Sequence, residues 1–226
     1  MKIVALLGTP HGLKGHTAKL LDIVLAGAAE NGASHETIVL KGDSVRPCLG
    51  CDTCHKKGAC AQKDEFSSIK QKVLAADGLV LASPNYIFSV SAQLKAFLDR
   101  CCGVIHTMEF EGRYGASVVT SGGGDEEPIA EYMNRFLVST GVIPVGSVWA
   151  TMGNIAGDGF PEEIRASARE LGGKLAAAIR DKPPADKESA LRMDAFRERM
   201  KRLMIWRRDE WPYEYEYWRK NRGLGG

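Results

Sequence analysis

Apolar and polar positions along the chain form a pattern that predicts five strands separated by helices. Five short segments are largely apolar and end near glycine, proline or hydroxyl residues, as is typical of buried strands. The predicted strands cover 2–10, 35–41, 78–84, 115–124 and 142–150. Between them, apolar residues recur every three or four positions, which predicts helices with one face against a core. These helices cover 17–31, 64–76, 91–102, 126–140 and 161–180.

Strand and helix alternate along the chain, and this order predicts a doubly wound α/β domain with a five-stranded parallel sheet between two layers of helices. The segment DKPPAD at 181–186 interrupts the alternation and predicts a linker. Beyond it we expect one more helix and an aromatic terminus, which holds three of the four tryptophans and three of the six tyrosines. We therefore predict a domain over 1–180 and a C-terminal extension over 181–226 that contacts another subunit, because exposed aromatic surface is unfavourable in water.

The composition is that of an ordinary globular protein. The 226 residues are 44% hydrophobic and 26% charged, and the formal net charge is +2. This small charge gives no general attraction to nucleic acid or membrane surfaces, and no apolar run approaches the roughly 20 residues that span a bilayer. The apolar run at the N-terminus is too short for a secretory signal. We therefore expect a cytoplasmic protein with neither nucleic acid nor membrane as a partner.

Three loops that follow predicted strands carry residues suited to binding a ligand. They are GTPHGLKGHT at 8–17, SPNYIFS at 83–89 and TSGGG at 120–124. The first offers hydroxyls, histidines and a helix N-terminus that attracts anions, the second offers aromatic rings for stacking, and the third offers backbone amides that glycine leaves accessible. Each loop alone also fits a plain connection or a packing role. In the strand order 2-1-3-4-5 the three loops are neighbours, at the edge where flavodoxin-like folds bind FMN.

Three sequence matches point to a known family. GTPHGLKGHT is similar to the pattern G-S-P-R-x-x-G-N-T, and the other matches are SPNYIFSVSAQLKAFLDR at 83–100 and CLGCDTCHKKGACAQKDEF at 48–66. Over about residues 1–180 the chain resembles the flavodoxin-like NAD(P)H-dependent FMN reductases, and among them the iron–sulfur flavoproteins. It departs from the pattern at His11, where arginine is usual, and at His16, where asparagine is usual. A neutral histidine donates a hydrogen bond to phosphate but adds no charge.

The resemblance implies a set of FMN-binding residues in the three loops. Those that would hold the FMN phosphate are Thr9, His11, His16 and Thr17. Those that would line the isoalloxazine ring are Pro84, Asn85, Tyr86, Ile87 and Phe88. Those that would close its far side are Ser121, Gly122 and Gly123. No side chain stands out as a general acid or a nucleophile, so we interpret these residues as cofactor-binding and none as catalytic.

Four cysteines lie in the insert 47–60 with the spacing C-x2-C-x2-C-x5-C; they are Cys48, Cys51, Cys54 and Cys60. Bacterial ferredoxins use the spacing C-x2-C-x2-C for a [4Fe–4S] cluster, whereas structural zinc sites usually have two pairs of ligands separated by a longer span. The resemblance points to iron and sulfur as well. Since disulfides are rare in the cytoplasm, we expect these four residues to bind a [4Fe–4S] cluster, with zinc or free redox-active thiols as alternatives.

The other cysteines and histidines receive lesser roles. We interpret Cys101 and Cys102 as small buried side chains. His55, inside the cysteine insert, could replace a thiol as a ligand, but we expect it to be exposed. His35 and His106 are assigned no role.

Together these observations predict an FMN-dependent oxidoreductase that passes electrons between NAD(P)H or ferredoxin and an acceptor that the sequence does not identify. The alternatives are a metal-free NAD(P)H-dependent flavin, quinone or nitroaromatic reductase, an electron carrier without its own substrate, and a zinc-stabilised binding module. We expect a homo-oligomer, either a dimer or a tetramer. Residues 192–208 hold seven basic and two acidic side chains, which suits an acidic partner such as ferredoxin and also fits a solvated helix face.

Overall fold

A computed structural model describes residues 1–155 and 159–224 of the chain. Its strands are β1 (Lys2–Leu7), β2 (Ser34–Val39), β3 (Gly78–Tyr86), β4 (Ser89–Val90), β5 (Tyr114–Ser121) and β6 (Ile143–Thr151). Five of them form a parallel sheet in the order β2-β1-β3-β5-β6, and the order predicted for the five long strands is thereby confirmed. The short strand β4 pairs antiparallel with β3 beyond the main sheet.

Helices cover both faces of the sheet and continue beyond it. They are α1 (His16–Glu30), α2 (Thr53–Lys57), α3 (Phe66–Leu74), α4 (Ala92–Arg100), α5 (Cys102–Thr107), α6 (Glu126–Thr140), α7 (Glu162–Asp181), α8 (Lys187–Trp206) and α9 (Pro212–Asn221). Short 3-10 turns occupy 12–14 and 152–154. Within the described residues, none of the helices combines the length and the apolar character needed to cross a membrane.

Alternate residues of β1 pack against helices on opposite faces of the sheet. Ile3, Ala5 and Leu7 belong to the core formed with α1 and α7, whereas Val4 and Leu6 belong to the core formed with α3, α4 and α6. All five side chains are fully buried. Burial on both faces explains why this strand is apolar throughout, as is typical of a parallel sheet.

Glycine allows α1 and α7 to approach each other closely. A Cβ atom added at Gly172 would lie 1.9 Å from the carbonyl oxygen of Val24, and one added at Gly27 would lie 2.1 Å from that of Arg169. Only a residue without a side chain leaves room for such backbone contact. The close pairing holds α1 firmly against the sheet, and the N-terminus of α1 is thereby fixed beside the loop that follows β1.

The register of the sheet brings the loops after β1, β3 and β5 to one edge. Leu7 is paired with Ala82 of β3, and Pro84 near the end of that strand is paired with Thr120 of β5. Because the three strands are parallel, their carboxyl ends meet at this edge, where ligand sites of open α/β sheets form.

Some elements differ from the sequence prediction. β3 extends to Tyr86 and returns as β4, so the predicted loop at 85–91 is partly a hairpin. The predicted helix at 91–102 is divided at Cys101 into α4 and α5. The cysteine insert contains a short helix, α2, which is flanked by Asp52 and Gly58 in left-handed conformations. Hydrophobic periodicity does not report such hairpins and turns, because they depend on the backbone angles of single residues.

The C-terminal extension packs back onto its own chain. α8 contacts α6, and α9 contacts α2 and α5. Trp218 of α9 is only 1% exposed, and its indole N–H donates to the carbonyl oxygen of His106 over 2.9 Å. From the sequence we expect these aromatic residues to contact another subunit, but Trp218 is covered within the chain. If the extension contacts another subunit as predicted, the contact would be made by its exposed residues, such as Ile205 and Trp206.

Candidate functional site

The first loop places hydroxyl and imidazole groups at the start of α1. Thr9 and Thr17 are buried, and His11 is exposed. The Thr9 hydroxyl oxygen accepts a hydrogen bond from the backbone N–H of His11 over 3.3 Å. Nδ1 of His16 is buried and has no hydrogen-bond partner among the described residues. Gly15 caps α1 without a side-chain hydrogen bond, so the first N–H groups of this 15-residue helix remain available to an anion.

The β3–β4 hairpin presents an exposed apolar ledge, formed by Tyr86, Ile87 and Phe88. Their exposed fractions are 42%, 90% and 76%. Ile87 and Phe88 have φ angles of 49° and 60°, a left-handed conformation that is unfavourable for a β-branched residue. Strain of this kind is concentrated at ligand sites. Pro84 differs from the other predicted ring-lining residues, because it is buried within β3.

The third loop is held by a buried carboxylate, that of Glu126 at the start of α6. Its oxygen Oε1 accepts hydrogen bonds from the hydroxyls of Ser121 and, over 2.6 Å, Thr151. Burial alone would raise the pKa of Glu126, but these hydrogen bonds outweigh it and lower the pKa below its ordinary value. A Cβ atom added at Gly122 or Gly123 would meet nothing within 4 Å, so the backbone of this loop borders open space.

Two hydrogen bonds join the three loops into one site. The hydroxyl oxygens of Thr17 and Thr120 lie 2.6 Å apart, and Nδ2 of Asn85 donates to the carbonyl oxygen of Gly124 over 3.0 Å. The loops that contain the predicted cofactor-binding residues therefore meet at one edge of the sheet. With a helix N-terminus, an apolar ledge and accessible backbone amides, the site can bind a flat ring that carries an anionic group.

The four cysteines of the insert have free thiols in differing environments. Cys48 and Cys51 are exposed, and Cys54 and Cys60 are half-buried. The backbone N–H of Gly50 donates to the sulfur of Cys48 over 3.5 Å. Within the described residues, no three of these four sulfur atoms lie within 4.8 Å of one another. They are thus too widely spaced in this conformation to share a single metal ion.

A buried ion pair fixes the position of Cys60. Nε of Arg100 donates to the Cys60 sulfur over 3.2 Å, and the other guanidinium nitrogens donate to both carboxylate oxygens of Asp64 over 2.8 and 3.1 Å. Burial alone would raise the pKa of Asp64, but the hydrogen bonds from Arg100 and from backbone N–H groups lower it to about 2. The carboxylate is therefore ionised at neutral pH and holds Arg100 against the insert.

A second polar group lies where α2, α5 and α9 meet. The buried carboxylate of Glu214 contacts Nδ1 of His55 over 2.5 Å and Nδ1 of His106 over 3.0 Å. The two imidazole rings stack with centroids 4.7 Å apart, and Trp211 packs against both. The Cys102 sulfur lies 3.9 Å from Nε2 of His106. The expectation that His55 is exposed is therefore wrong, because α9 covers it.

These contacts shift the pKa values of the whole group. Burial alone would raise the pKa of Glu214, but hydrogen bonds from His106 and His55 lower it. Burial alone would lower the pKa of each histidine, yet Cys102 and Glu214 raise both values. Hydrogen bonds from His106 and His55 lower the pKa of the Cys102 thiol. The group is thus suited to holding charge inside the protein.

Sequence reasoning missed Glu126, at the edge where the three loops meet, and the group around Glu214. The spacing of Cys102 and His106 predicts that these two side chains lie next to each other, because residues four apart share one face of a helix. No local pattern identifies Glu214, which lies 159 positions from His55.

The family follows from a direct comparison with known proteins. A family model described as NADPH-dependent FMN reductase matches residues 1–157. The chain belongs to the NADPH-dependent FMN reductase family. It is accordingly an NAD(P)H-dependent flavin oxidoreductase with FMN as its cofactor, and the family predicted from the sequence is confirmed.

Individual relatives refine this placement. The chain is 36% identical over 195 residues to an iron–sulfur flavoprotein of Archaeoglobus fulgidus, covering 84% of this chain and 87% of the relative. It is 32% identical over 190 residues to an iron–sulfur flavoprotein of Methanocaldococcus jannaschii, covering 80% and 98%. The structure of a WrbA-like flavodoxin from Agrobacterium tumefaciens matches with a TM-score of 0.54 at 18% identity, covering 80% of this chain and 99% of that one. The chain is thus an iron–sulfur flavoprotein-like member with a flavodoxin-like fold.

Proposed function

We propose that this flavin oxidoreductase carries a [4Fe–4S] cluster and passes electrons between NAD(P)H or ferredoxin and a further acceptor. FMN would bind at the edge where the three loops meet, and the cluster would bind Cys48, Cys51, Cys54 and Cys60. The main support for this flavin site is that two hydrogen bonds, Thr17–Thr120 and Asn85–Gly124, join the three loops.

The first loop fits the phosphate of FMN. The hydroxyls of Thr9 and Thr17, the N–H groups at the start of α1 and the partnerless Nδ1 of His16 are suited to an anionic oxygen. His11 would act at the exposed rim. Neither histidine brings a permanent charge, so the helix N-terminus and hydrogen bonds would supply most of the phosphate affinity.

The second and third loops fit the isoalloxazine ring. Oδ1 of Asn85 is buried without a hydrogen-bond partner among the described residues, which leaves an acceptor for a polar edge of the ring. The exposed side chains of Tyr86, Ile87 and Phe88 provide an apolar surface, and Gly122 and Gly123 leave room for a ligand beside their backbone. The strain at Ile87 is typical of such a ligand-binding turn.

The cysteine insert offers ligands that suit the proposed cluster. Four free thiols with ferredoxin-like spacing are the ligands that iron–sulfur clusters use. The N–H groups of Gly50 and Arg100 that donate to sulfur are the kind of contact that tunes such clusters. The names of the curated relatives point to iron and sulfur as well.

The role of the chain is to position its cofactors. When bound, FMN accepts electrons in pairs and can release them singly. Glu126 holds Ser121 and thereby the third loop, and its lowered pKa makes it an acceptor, not a proton source, at neutral pH. The exposed ledge at 86–88 leaves the flavin accessible to NAD(P)H and to an electron acceptor.

Partners are a further part of the proposal. A groove of about 950 Å³ between α6 and α8 is lined by Arg135, Arg192 and Arg199 together with Glu131 and apolar side chains. The excess of positive charge in this lining suits an acidic electron-transfer partner such as ferredoxin. We propose a homo-oligomer in which the extension over 181–226 takes part. Truncation after Arg180 should lower the oligomeric state on a sizing column, and an unchanged state would contradict this role.

Anaerobic purification followed by three measurements tests the proposed function. We expect one FMN per chain, about four irons and four acid-labile sulfides per chain, and NAD(P)H oxidation that depends on an added acceptor. The Cys51→Ser variant should lose iron, whereas Cys101→Ala, in which the thiol faces the core, should keep it. FMN without iron would favour a metal-free reductase, and FMN without turnover would favour a carrier. A protein that neither contains nor takes up FMN would contradict the proposal.

A further inference from the structure

We propose that His55, Cys102 and His106 form a zinc site that is separate from the four-cysteine motif. One ring nitrogen from each histidine and the Cys102 sulfur lie within 4.8 Å of one another. In the described part of the chain, this is the one place where three potential ligand atoms are so close together. Imidazole and thiolate are the ligands that zinc prefers in proteins.

The distances suit zinc with a small adjustment of the side chains. Zinc bonds of about 2.3 Å to sulfur and about 2.0 Å to nitrogen in a tetrahedral site place those two ligand atoms roughly 3.5 Å apart. The Cys102 sulfur and Nε2 of His106 are 3.9 Å apart. This pair would therefore have to close by a few tenths of an ångström, and the ring nitrogen of His55 lies within 4.8 Å of both atoms. Three protein ligands on a tetrahedral ion would leave a fourth position for water.

Glu214 supplies the support that metal-binding histidines usually have. Its two oxygens contact Nδ1 of His55 and Nδ1 of His106, and the carboxylate is fully buried. A carboxylate accepts hydrogen bonds, so it fixes the proton of each ring on Nδ1 and leaves Nε2 for a metal. In zinc sites, the far ring N–H of a ligating histidine typically donates a hydrogen bond to a carboxylate.

The proposed zinc site has a structural consequence. His55 belongs to α2, Cys102 and His106 belong to α5, and Glu214 belongs to α9. One ion would therefore connect the cysteine insert to the flavodoxin-like domain, and the C-terminal extension would be joined to this site through the hydrogen bonds of Glu214. Cys54 precedes His55, so zinc would also fix the helix that carries one thiol of the four-cysteine motif.

The test measures zinc in the full-length protein, purified anaerobically with its cofactors and then incubated with a small excess of ZnCl₂ and desalted. Inductively coupled plasma mass spectrometry should find one zinc per chain in addition to any iron. X-ray absorption at the zinc edge, to which iron and flavin do not contribute, should find one sulfur at about 2.3 Å and two imidazole nitrogens at about 2.0 Å. Three or four sulfur ligands would place zinc in the four-cysteine motif and overturn the proposal.

Matched variants decide which residues bind the ion. Cys102→Ser and His106→Ala should reduce zinc to less than about one fifth of the wild-type content, whereas Cys101→Ala and His35→Ala should retain it. Glu214→Gln, which keeps the ligands, should weaken zinc affinity about 10- to 100-fold in a chelator competition. FMN content and circular dichroism report whether each variant folds.

Two further results would overturn the proposal. One is a wild-type protein that takes up no zinc, in which case the group is only a charged hydrogen-bond network. The other is zinc retained at wild-type level in folded Cys102→Ser. If the ligand variants do not fold, an unchanged affinity in Glu214→Gln together with a spectrum without histidine nitrogens would overturn it as well.

Discussion

The hydroxyl oxygens of Thr17 and Thr120 lie 2.6 Å apart, although 103 positions separate the two residues in the sequence. Thr17 is in the first turn of α1, Thr120 is near the end of β5, and both are buried. Their hydrogen bond fixes the start of α1 against the third loop. The proposed phosphate-binding and ring-binding parts of the flavin site are therefore held at a constant separation.

Replacing Thr17 with valine should weaken FMN binding, because valine keeps the shape of threonine but has no hydroxyl. A hydrogen bond to a charged group contributes about 1.5–3 kcal/mol, and about 1.4 kcal/mol corresponds to a tenfold change in Kd. We expect the FMN Kd of Thr17→Val to rise at least about tenfold. Quenching of FMN fluorescence during titration of the flavin-free protein measures this change.

The matched control for this variant is Thr140→Val. Thr140 is also buried and helical, but its hydroxyl donates to carbonyl oxygens of its own helix, α6. Its replacement should leave the FMN Kd unchanged. Equal affinities for the Thr17→Val and Thr140→Val variants would contradict a role for Thr17 in the flavin site.

Replacing His11 with arginine should strengthen FMN binding, because it adds a permanent positive charge at the exposed rim of the first loop. Exposed ion pairs contribute about 0.2–1 kcal/mol, so we expect the Kd to fall by up to about fivefold at low salt. The gain should disappear at high salt and should be absent for riboflavin, which has no phosphate. Leu13→Arg, which adds the same charge at an exposed neighbour, should give a smaller gain. An equal gain would indicate a general charge effect.

Replacing Ile87 with glycine should make the flavin-free protein more stable but weaken its binding of FMN. Its left-handed backbone costs about 1–2 kcal/mol for a side chain with a Cβ atom. We expect Ile87→Gly to raise the free energy of unfolding of the flavin-free protein by about 0.5–1 kcal/mol, while the FMN Kd rises several-fold because apolar surface is lost. Urea denaturation and flavin titration measure the two effects.

Lys182 provides the control for Ile87. It has the same φ angle of 49° but lies at the end of α7. Lys182→Gly should raise stability in a similar way and leave FMN affinity unchanged. If Ile87→Gly behaves like Lys182→Gly in both measurements, the exposed ledge does not contact the flavin.

The sheet and the meeting of the three loops at one of its edges could be predicted because local sequence determines them. A strand buried on both faces, such as 78–84, is apolar throughout, and parallel strands bring their carboxyl ends to one edge. Glycine, hydroxyl and aromatic residues after three of these strands then identified the edge. The predicted order of five strands needed no information beyond this alternation and the resemblance.

The rest depended on contacts between distant residues. His55 was expected to be exposed, but α9, more than 150 positions away, covers it through Glu214. The strained turn at Ile87 exists only because β3 continues into a hairpin with β4. Of the aromatic residues expected to avoid water, Trp218 is buried and Trp206 is exposed, and periodicity could not show that Trp218 finds its partner in the same chain.

Asp64 should make the stability of the protein depend on pH in acid. It forms two hydrogen bonds with Arg100, and the side chains of both residues are almost inaccessible to solvent. Its pKa of about 2 in the folded protein lies below the value of about 3.9 expected for the unfolded chain. The ion pair therefore stabilises the fold above about pH 4, and this stabilisation is lost as the pH falls towards 2.

The Asp64→Asn variant should lower the free energy of unfolding by about 2 kcal/mol at pH 6, because Arg100 would keep its buried charge without the carboxylate. The deficit should shrink between pH 4 and pH 2, where the wild-type carboxylate also becomes neutral. Urea denaturation of the cofactor-free chain from pH 6 to pH 2.5 measures it. Asp99→Asn, which removes an exposed partner of Lys95, should cost less than about 0.5 kcal/mol at each pH. A deficit for Asp64→Asn that does not change with pH would show that its charge is not what holds Arg100 beside Cys60.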